Sequence, residues 1–411
     1  MSVEIGTATG YIDLLRRLRT FMLNNDWEEN RWIKTSGTGA IIVVKATPTE
    51  AGSGYTIDDI LTVVQAGGSL GTVKVTDVDI GGEVLEVELV DAGSGYTSNF
   101  GVEVSGGTGA DCEIEFTASG EYEFQAKGTG LAGVNTIYVG ISSYSSIGAD
   151  YFNWRFQGYL GFDGAKTFDE QPGAIPLGTL GTRPAKTPIM CLWNDAIPYW
   201  FIGNGRRIIV VAKISTVYEM IYLGYLLPYL PPTMMPYPLC IIGTSLGYVD
   251  NAHTGERWSN TSPSHSIGCL QPTAIHNATS GFDIIARPNS SFRFWFVEWS
   301  GIANRVVYSN SAEGVSTRDS VHPTWPCGDD TDEIFRQMRN NPNDASYVLS
   351  PIIPMHRLNA KNVFGELDGV YHISGFNNAV ENIITIDLVD YLVVQNIHRT
   401  GQFDYCAVRL S

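Results

Sequence analysis

The sequence predicts a mainly β protein: a β-sandwich-like body with an N-terminal amphipathic helix and an inserted small all-β domain. Three observations lead there. Runs of alternating or continuous apolar residues, separated by turn-forming residues, fill most of the chain. The composition, with 44 glycines, 11% aromatic and only 17% charged residues, suits strands joined by tight turns. A six-residue string, Ala51-Gly-Ser-Gly-Tyr-Thr56, returns letter for letter as Ala92-Gly-Ser-Gly-Tyr-Thr97, the mark of a duplicated small β unit.

The first element is a helix, expected within residues 1–35. Leu14, Leu15, Leu18, Phe21 and Met22 share one face, Thr7 or Thr9 is placed to cap the start, and Arg16, Arg17 and Arg19 lie largely off the apolar stripe. Such a helix docks on its own domain or on a partner, so Leu14, Leu18 and Phe21 are candidate interface residues. The arginines read as a solvated face.

Residues 36–118 change texture and read as the inserted domain. Glu83–Leu89 and Cys112–Phe116 alternate with the period of half-buried strands. Gly37-Thr-Gly-Ala40 recurs as Gly107-Thr-Gly-Ala110. Each Gly-Ser-Gly-Tyr-Thr supplies glycines for positive φ and a tyrosine to cover the turn, which makes Gly54, Tyr55, Gly95 and Tyr96 candidate exposed turns. The segment also holds the charge. The whole chain carries −17, of which 36–118, with 13 acids and two bases, accounts for −11 and the remaining residues for −6. A surface of that sign disfavours nucleic acid and anionic lipid.

Residues 119–411 read as the main β body, with a possible division into about 119–250 and 251–411. Strands are expected at Asn135–Ile141, Arg207–Ile214, Ser291–Trp299 and Asn382–Leu388, with loops at 251–280 and 309–330 and a short helix over Glu333–Arg339. Met220–Val249 contains no Asp, Glu, Lys or Arg, which a hydropathy window would score as membrane-spanning. Pro228, Pro231, Pro232, Pro236 and Pro238 rule out a continuous helix there, so the stretch reads as a strand and a stiff apolar loop. Tyr225, Leu227, Pro228, Tyr229 and Tyr237 are its candidate interface residues. No membrane span is expected, and Met1–Gly10 lacks the basic start and apolar run of a secretory leader.

No reaction is legible. The chain has neither a P-loop nor a dinucleotide fingerprint. His253, His265 and Cys269 are spaced too loosely for a known zinc pattern, and Asp329, Asp330, Asp332 and Glu333 lack the later ligands of a calcium loop. Gly243-Thr-Ser-Leu-Gly247 has the letters of a nucleophile elbow but no helix behind it. The six cysteines, 112, 191, 240, 269, 327 and 406, show no paired spacing and read as small hydrophobes. No catalytic, cofactor-binding or metal residue is therefore assigned.

The strings Gly6-Thr-Ala-Thr-Gly-Tyr-Ile-Asp-Leu-Leu15, Ile137-Tyr-Val-Gly-Ile141, Tyr151-Phe-Asn-Trp154, Asn204-Gly-Arg-Arg207 and Tyr222-Leu-Gly-Tyr-Leu-Leu-Pro-Tyr229 resemble virion structural proteins of tailed bacteriophages. The likeness spans about 1–32 and 120–245, and 36–118 interrupts it with a segment that itself resembles the β modules of phage tail and fibre proteins. The resemblance implies a structural part of the tail, neck or baseplate, in the virion. It would touch other virion proteins and form a homo-oligomer of tail symmetry (trimer, hexamer or a multiple), without direct nucleic-acid contact. A fibre-like protein whose inserted unit binds host-surface glycan is the alternative, and an envelope-polysaccharide hydrolase the second alternative.

Overall fold

The chain is mainly β, built from several antiparallel sheets. The computed structural model describes residues 1–35, 38–118, 120–130, 136–146, 151–174, 189–229, 231, 238–243, 294–299, 304–308, 321–325, 347–356, 365–375, 377–395 and 405–411. They divide into two compact units, one formed by Met1–Trp32 with Phe124–Ser411 and the other by Ile33–Glu123.

An eight-stranded sheet organises the larger unit. Its order is Ser2–Ala8, Ile197–Asn204, Arg207–Ile214, Val217–Pro228, Leu239–Gly243, Phe294–Trp299 and Asn304–Tyr308, and Gly365–Leu367 pairs with the far end of Val217–Pro228. Arg207–Ile214 and the first ten residues of Val217–Pro228 are buried almost without interruption. Strands covered on both faces read as continuous apolar runs, which is what the sequence shows here. The first hairpin turn is set by Asn204, whose Oδ1 accepts from the backbone N–H of Arg206 (2.9 Å) and Arg207 (3.1 Å).

The two faces of this sheet meet different neighbours. Ile209, Val211, Met220, Tyr222 and Ile242 share a core with Val370, Leu392, Val394, Cys406 and Val408. The latter belong to a five-stranded sheet ordered Ser350–Pro351, Val370–Ile373, Tyr405–Arg409, Val389–Gln395 and Ile383–Ile386. The opposite face receives the α-helix Tyr11–Leu23, with the rings of Phe21 and Phe201 5.6 Å apart. That helix also lies on a second five-stranded sheet, ordered Ile189–Leu192, Tyr151–Tyr159, Ile137–Ser146, Tyr122–Gly128 and Glu28–Lys34. Trp154 Nε1 donates to the Tyr11 carbonyl at 3.0 Å, and the Tyr11 and Phe152 rings are 5.3 Å apart.

Several expectations are corrected. The helix starts at Tyr11 behind Gly10, and neither threonine caps it: Thr7 belongs to the strand Ser2–Ala8, and the Asp13 carboxylate accepts from Thr9 N at 3.0 Å. A strand, Val321–Trp325, runs where a loop was expected, paired with Ile353–His356. The strand expected over Asn382–Leu388 stops at Ile386, because Asp387 (φ 50°) and Leu388 (φ 65°) form the turn into Val389–Gln395. The body does not divide near residue 250, since its shared core draws on strands from both sides of that point. The Glu333–Arg339 helix lies outside the described residues. Among the described residues no helix is long and apolar enough to cross a membrane.

The smaller unit is one seven-stranded sheet ordered Ile41–Val44, Ala110–Ala118, Asn99–Ser105, Ile60–Val63, Ser69–Val78 and Val84–Ser94, with Glu50–Ser53 also on Ala110–Ala118. Its last strand curls back towards its first: Val87 N donates to Ala46 O at 2.8 Å. Curling places Leu61, Val73, Val75, Val104, Ile114 and Phe116 in an interior of their own.

A partly buried ionic cluster joins the eight-stranded sheet to the start of the C-terminal sheet, and Lys213 pairs with Glu381 at 2.6 Å elsewhere along the same seam. Arg207, fully buried at the first hairpin, lies with its Nε 3.5 Å from Asp368 Oδ2, and Arg206 Nη2 is 3.6 Å from the same oxygen. Space for the guanidinium comes from glycine. A Cβ on Gly369 (φ 73°) would stand 2.5 Å from Arg207 Nη2, and one on Gly224, opposite Arg207 in register, would stand 2.4 Å from its Cα. Asp368 N also donates to the Tyr222 hydroxyl at 3.2 Å, and Arg409 N to Gly369 O at 2.9 Å.

Removing one partner of a buried pair strands the other charge, at a cost of about 3 kcal/mol. Asp368→Ala is therefore expected to destabilise the larger unit by that order, and Arg207→Met combined with Asp368→Leu to recover much of it. All nine tryptophans lie outside 33–123. Urea unfolding followed by tryptophan fluorescence thus reads the larger unit alone. An unchanged midpoint in Asp368→Ala would refute the assignment.

Candidate functional site

The helix face proposed as an interface is spent inside the chain. Leu14, Leu18 and Phe21 are buried, along with Tyr11, Leu15 and Met22. Burying each such side chain stabilises by about 2 kcal/mol, so they are not surface available to a partner. The helix instead shows solvent its charges: Arg17 pairs with Asp13 at 2.8 Å one turn away, and Arg19 with Glu29 at 2.5 Å while lying 5.1 Å over the Trp32 ring.

The apolar segment is divided in the same way. Tyr225 is buried, Leu227 and Pro228 are half-buried where they pair with Glu366 and Gly365, and Tyr229 is 51% exposed. The Tyr229 hydroxyl donates to Glu366 Oε2 at 3.0 Å, and partial burial beside that carboxylate pushes the phenol up to about 12. Tyr237 lies outside the described residues.

Tyr55 and Tyr96 are corrected from exposed to buried; of the four turn residues only Gly54 is fully exposed and Gly95 is half-buried. The reason is a crossed pairing of the repeated strings. The bridge between Gly39 and Tyr96 joins the first Gly-Thr-Gly-Ala to the second Gly-Ser-Gly-Tyr-Thr, and Ser53 registers with Ala110, joining the second to the first. Each tyrosine ring then lies on glycine. A Cβ on Gly109 would be 2.6 Å from the Tyr55 ring, and one on Gly68 would be 2.4 Å from that of Tyr96. The Tyr96 hydroxyl accepts from Gly71 N at 3.0 Å and donates to Val63 O at 3.1 Å, so the buried phenol is satisfied.

Asp59 stitches the first of these turns. Its Oδ2 accepts from Thr56 N (3.0 Å), Thr108 N (3.0 Å) and the Thr108 hydroxyl (2.7 Å). These donors, the Thr56 N–H first, hold the carboxyl down at about 2. An exposed Asp79 ties the hairpin tip, accepting from Gly81 N and Glu83 N at 2.8 Å.

A polar cluster in the body escaped the sequence reading. Along Tyr151–Tyr159, Phe152, Trp154 and Phe156 alternate with Asn153, Arg155 and Gln157, and both sets are buried. The segment after the strand folds back over the polar side. Asp169 accepts two hydrogen bonds from Arg155 (2.7 and 3.0 Å) and one from Gln157 Nε2 (2.9 Å), while the guanidinium lies 4.7 Å over the Phe168 ring. The alternation of aromatic with amide and guanidinium side chains was the available signal. The donors of Arg155 and Gln157 converge on Asp169, so the arrangement fastens the segment to the strand.

Cys112, Cys191, Cys240 and Cys406 are free thiols in the core. Burial pushes Cys112 up to about 11 and Cys406 to about 12, and raises Cys240 as well, so these thiols stay protonated and poorly nucleophilic at neutral pH. Among the described residues no group of three or more His, Cys, Asp or Glu is placed to hold a metal ion. His253, His265, Cys269, Ser245 and the acids 329–333 lie outside the described residues. No protein-family model matches the chain, and no curated protein matches it significantly.

Asp59 sets a pH dependence for the smaller unit. Its carboxyl is depressed in the folded state, so its stabilisation is present above the ordinary carboxylate range and is lost as pH falls through about 2. Asp59→Asn is expected to lower the melting temperature of this unit near neutrality, with the gap to wild type closing between pH 4 and 2. Far-UV circular dichroism corrected for the tryptophan-reported transition checks it. A gap that persists at pH 2 would show that Asp59 acts by shape and not by charge.

Proposed function

We propose that the chain is a non-catalytic structural component of a tailed-phage virion, present in several copies in the tail, neck or baseplate. In this reading residues 1–32 and 124–411 form a β-sandwich-like body that packs among other virion proteins. Residues 33–123 are an inserted acidic β domain, carried as a contact arm. The sequence likeness at Gly6–Leu15, Tyr151–Trp154, Asn204–Arg207 and Tyr222–Tyr229 carries the reading.

The packing supports it. Likeness strings fall on the helix and on the central strands that build the body's cores, as expected where related chains preserve a scaffold. The buried thiols and the self-satisfied Arg155–Asp169 cluster suit a rigid part better than a reactive one. Purified particles imaged by electron microscopy, with and without antibody to this chain, are expected to show repeated copies at one axial level. Particles free of the chain, with the protein confined to the lysate, would overturn the proposal.

One observation favours the fibre-like reading. Phe100 is 66% exposed on the strand Asn99–Ser105, and an aromatic face in solvent is what sugar rings stack upon. If the acidic domain reads host glycan, Phe100→Ala will abolish binding on an array of host-surface polysaccharides while leaving the fold unchanged. Equal signals from both proteins would exclude that role for Phe100.

A further inference from the structure

We propose that the strand Ser2–Ala8 is a homodimerisation edge, pairing antiparallel with the same strand of a second copy about a two-fold axis at Ile5. The inference stands on the edge itself and does not rest on the virion reading.

Ser2–Ala8 ends the eight-stranded sheet. It pairs residue for residue with Ile197–Asn204, from Ser2 opposite Gly203 to Ala8 opposite Ile197, with no bulge. Among the described residues nothing pairs with its outer side. A straight, unpaired edge is a template for another strand, and proteins that must stay apart guard such edges.

Three other sheet edges among the described residues are guarded. Glu28–Lys34 carries Glu28, Glu29, Arg31 and Lys34. Val84–Ser94 is broken by register shifts, carries Glu86, Glu88 and Asp91, and turns back to Ala46. Ser350–Pro351 is two residues long and ends in proline. Ser2–Ala8 has neither bulge, proline nor basic residue. Its one charge, Glu4, is turned onto the sheet face, accepting from the Tyr199 hydroxyl at 2.8 Å.

The side chains also lack cover. Val3 (38% exposed) and Ile5 (63%) stand opposite Ile202 and Trp200, on the sheet face whose core the C-terminal sheet covers. That core therefore runs out to an apolar rim at the edge. A second copy continues the rim. With the axis at Ile5, Ile5 faces its own symmetry mate, Val3 faces Thr7, and Glu4 faces Gly6. An axis at Glu4 would set two carboxylates directly opposite, which is destabilising. The register centred on Ile5 is self-complementary, as a two-fold interface requires, and it sets the most exposed apolar side chain of the strand on its own mate.

The test uses the purified full chain. Sedimentation velocity is expected to give twice the 44.9 kDa monomer mass, and Ile5→Lys, which places two ammonium groups in opposition, to weaken association at least about tenfold. A far-UV spectrum like the wild type's confirms that the variant folds. Register is read by disulfide trapping with Cys269 and Cys327 replaced by serine, the four described cysteines being buried. Ile5→Cys is expected to cross-link between chains on oxidation, because directly opposed residues lie within disulfide reach, whereas Val3→Cys alone is not. A monomer at every concentration, a dimer untouched by Ile5→Lys, or equal cross-linking at residues 3 and 5 would each overturn the proposal. The first of these outcomes would leave the edge to a strand of a different protein.

Discussion

The body depends on the accommodation of one buried guanidinium. Arg207 occupies the point where the first hairpin of the eight-stranded sheet meets the start of the C-terminal sheet, and Asp368 facing it offsets the cost of desolvating it, with Ile202 O and Met1 Sδ as further acceptors. Satisfying it constrains several elements together. Gly224 and Gly369 must lack side chains, Asn204 must hold the turn that orients the arginine, and Tyr222 must present its hydroxyl to the backbone of Asp368. Apolar packing between the sheets would tolerate sliding, since burial has no direction. Ion pairs do not, so Arg207–Asp368, together with Lys213–Glu381, favours one opposition of the two sheets.

The smaller unit reaches the same end without a buried charge. Its crossed strings close the domain by setting each tyrosine over a glycine of the other half. The acids are left on the outside, where Asp59 and Asp79 tie turns and Lys74 bridges Asp58 and Glu88. Exposed pairs of that kind add little stability each. The interior apolar set must therefore do most of the work, and the surplus negative charge is free to act outward on whatever approaches.

What was legible in the sequence follows from the range of the signal. Arg207–Ile214 was readable to the residue because an apolar run is bounded by an Asn-Gly turn, both local features. Ser2–Ala8 was missed because its alternation is short and runs out into Gly-Thr-Ala. Asn382–Leu388 overran because Asp-Leu is an unusual pair at positive φ. The amphipathic stripe of the helix was plain, but whether its Leu14–Phe21 face meets the same chain or another depends on Phe201 and Phe152, far along the sequence. The repeated strings were equally plain. Burial of Tyr55 and Tyr96 was not, since the glycines beneath them come from other strands. Arg155 and Asp169, like Arg207 and Asp368, announce themselves only as charges until the fold brings them together.

The place where the acidic domain enters the chain has its own consequence. Glu28–Lys34 and Tyr122–Gly128 are neighbours in one sheet, and Thr35 N donates to Glu121 O at 2.8 Å, so the chain departs and returns at adjoining points. Without the domain those strands would be an ordinary hairpin. Lengthening a hairpin loop costs only a slowly growing closure entropy, and a folded insert whose ends already meet reduces even that. A junction whose two ends adjoin asks little of the length of chain between them, so a change in that length falls on the loop entropy and not on the pairing of the strands at either side.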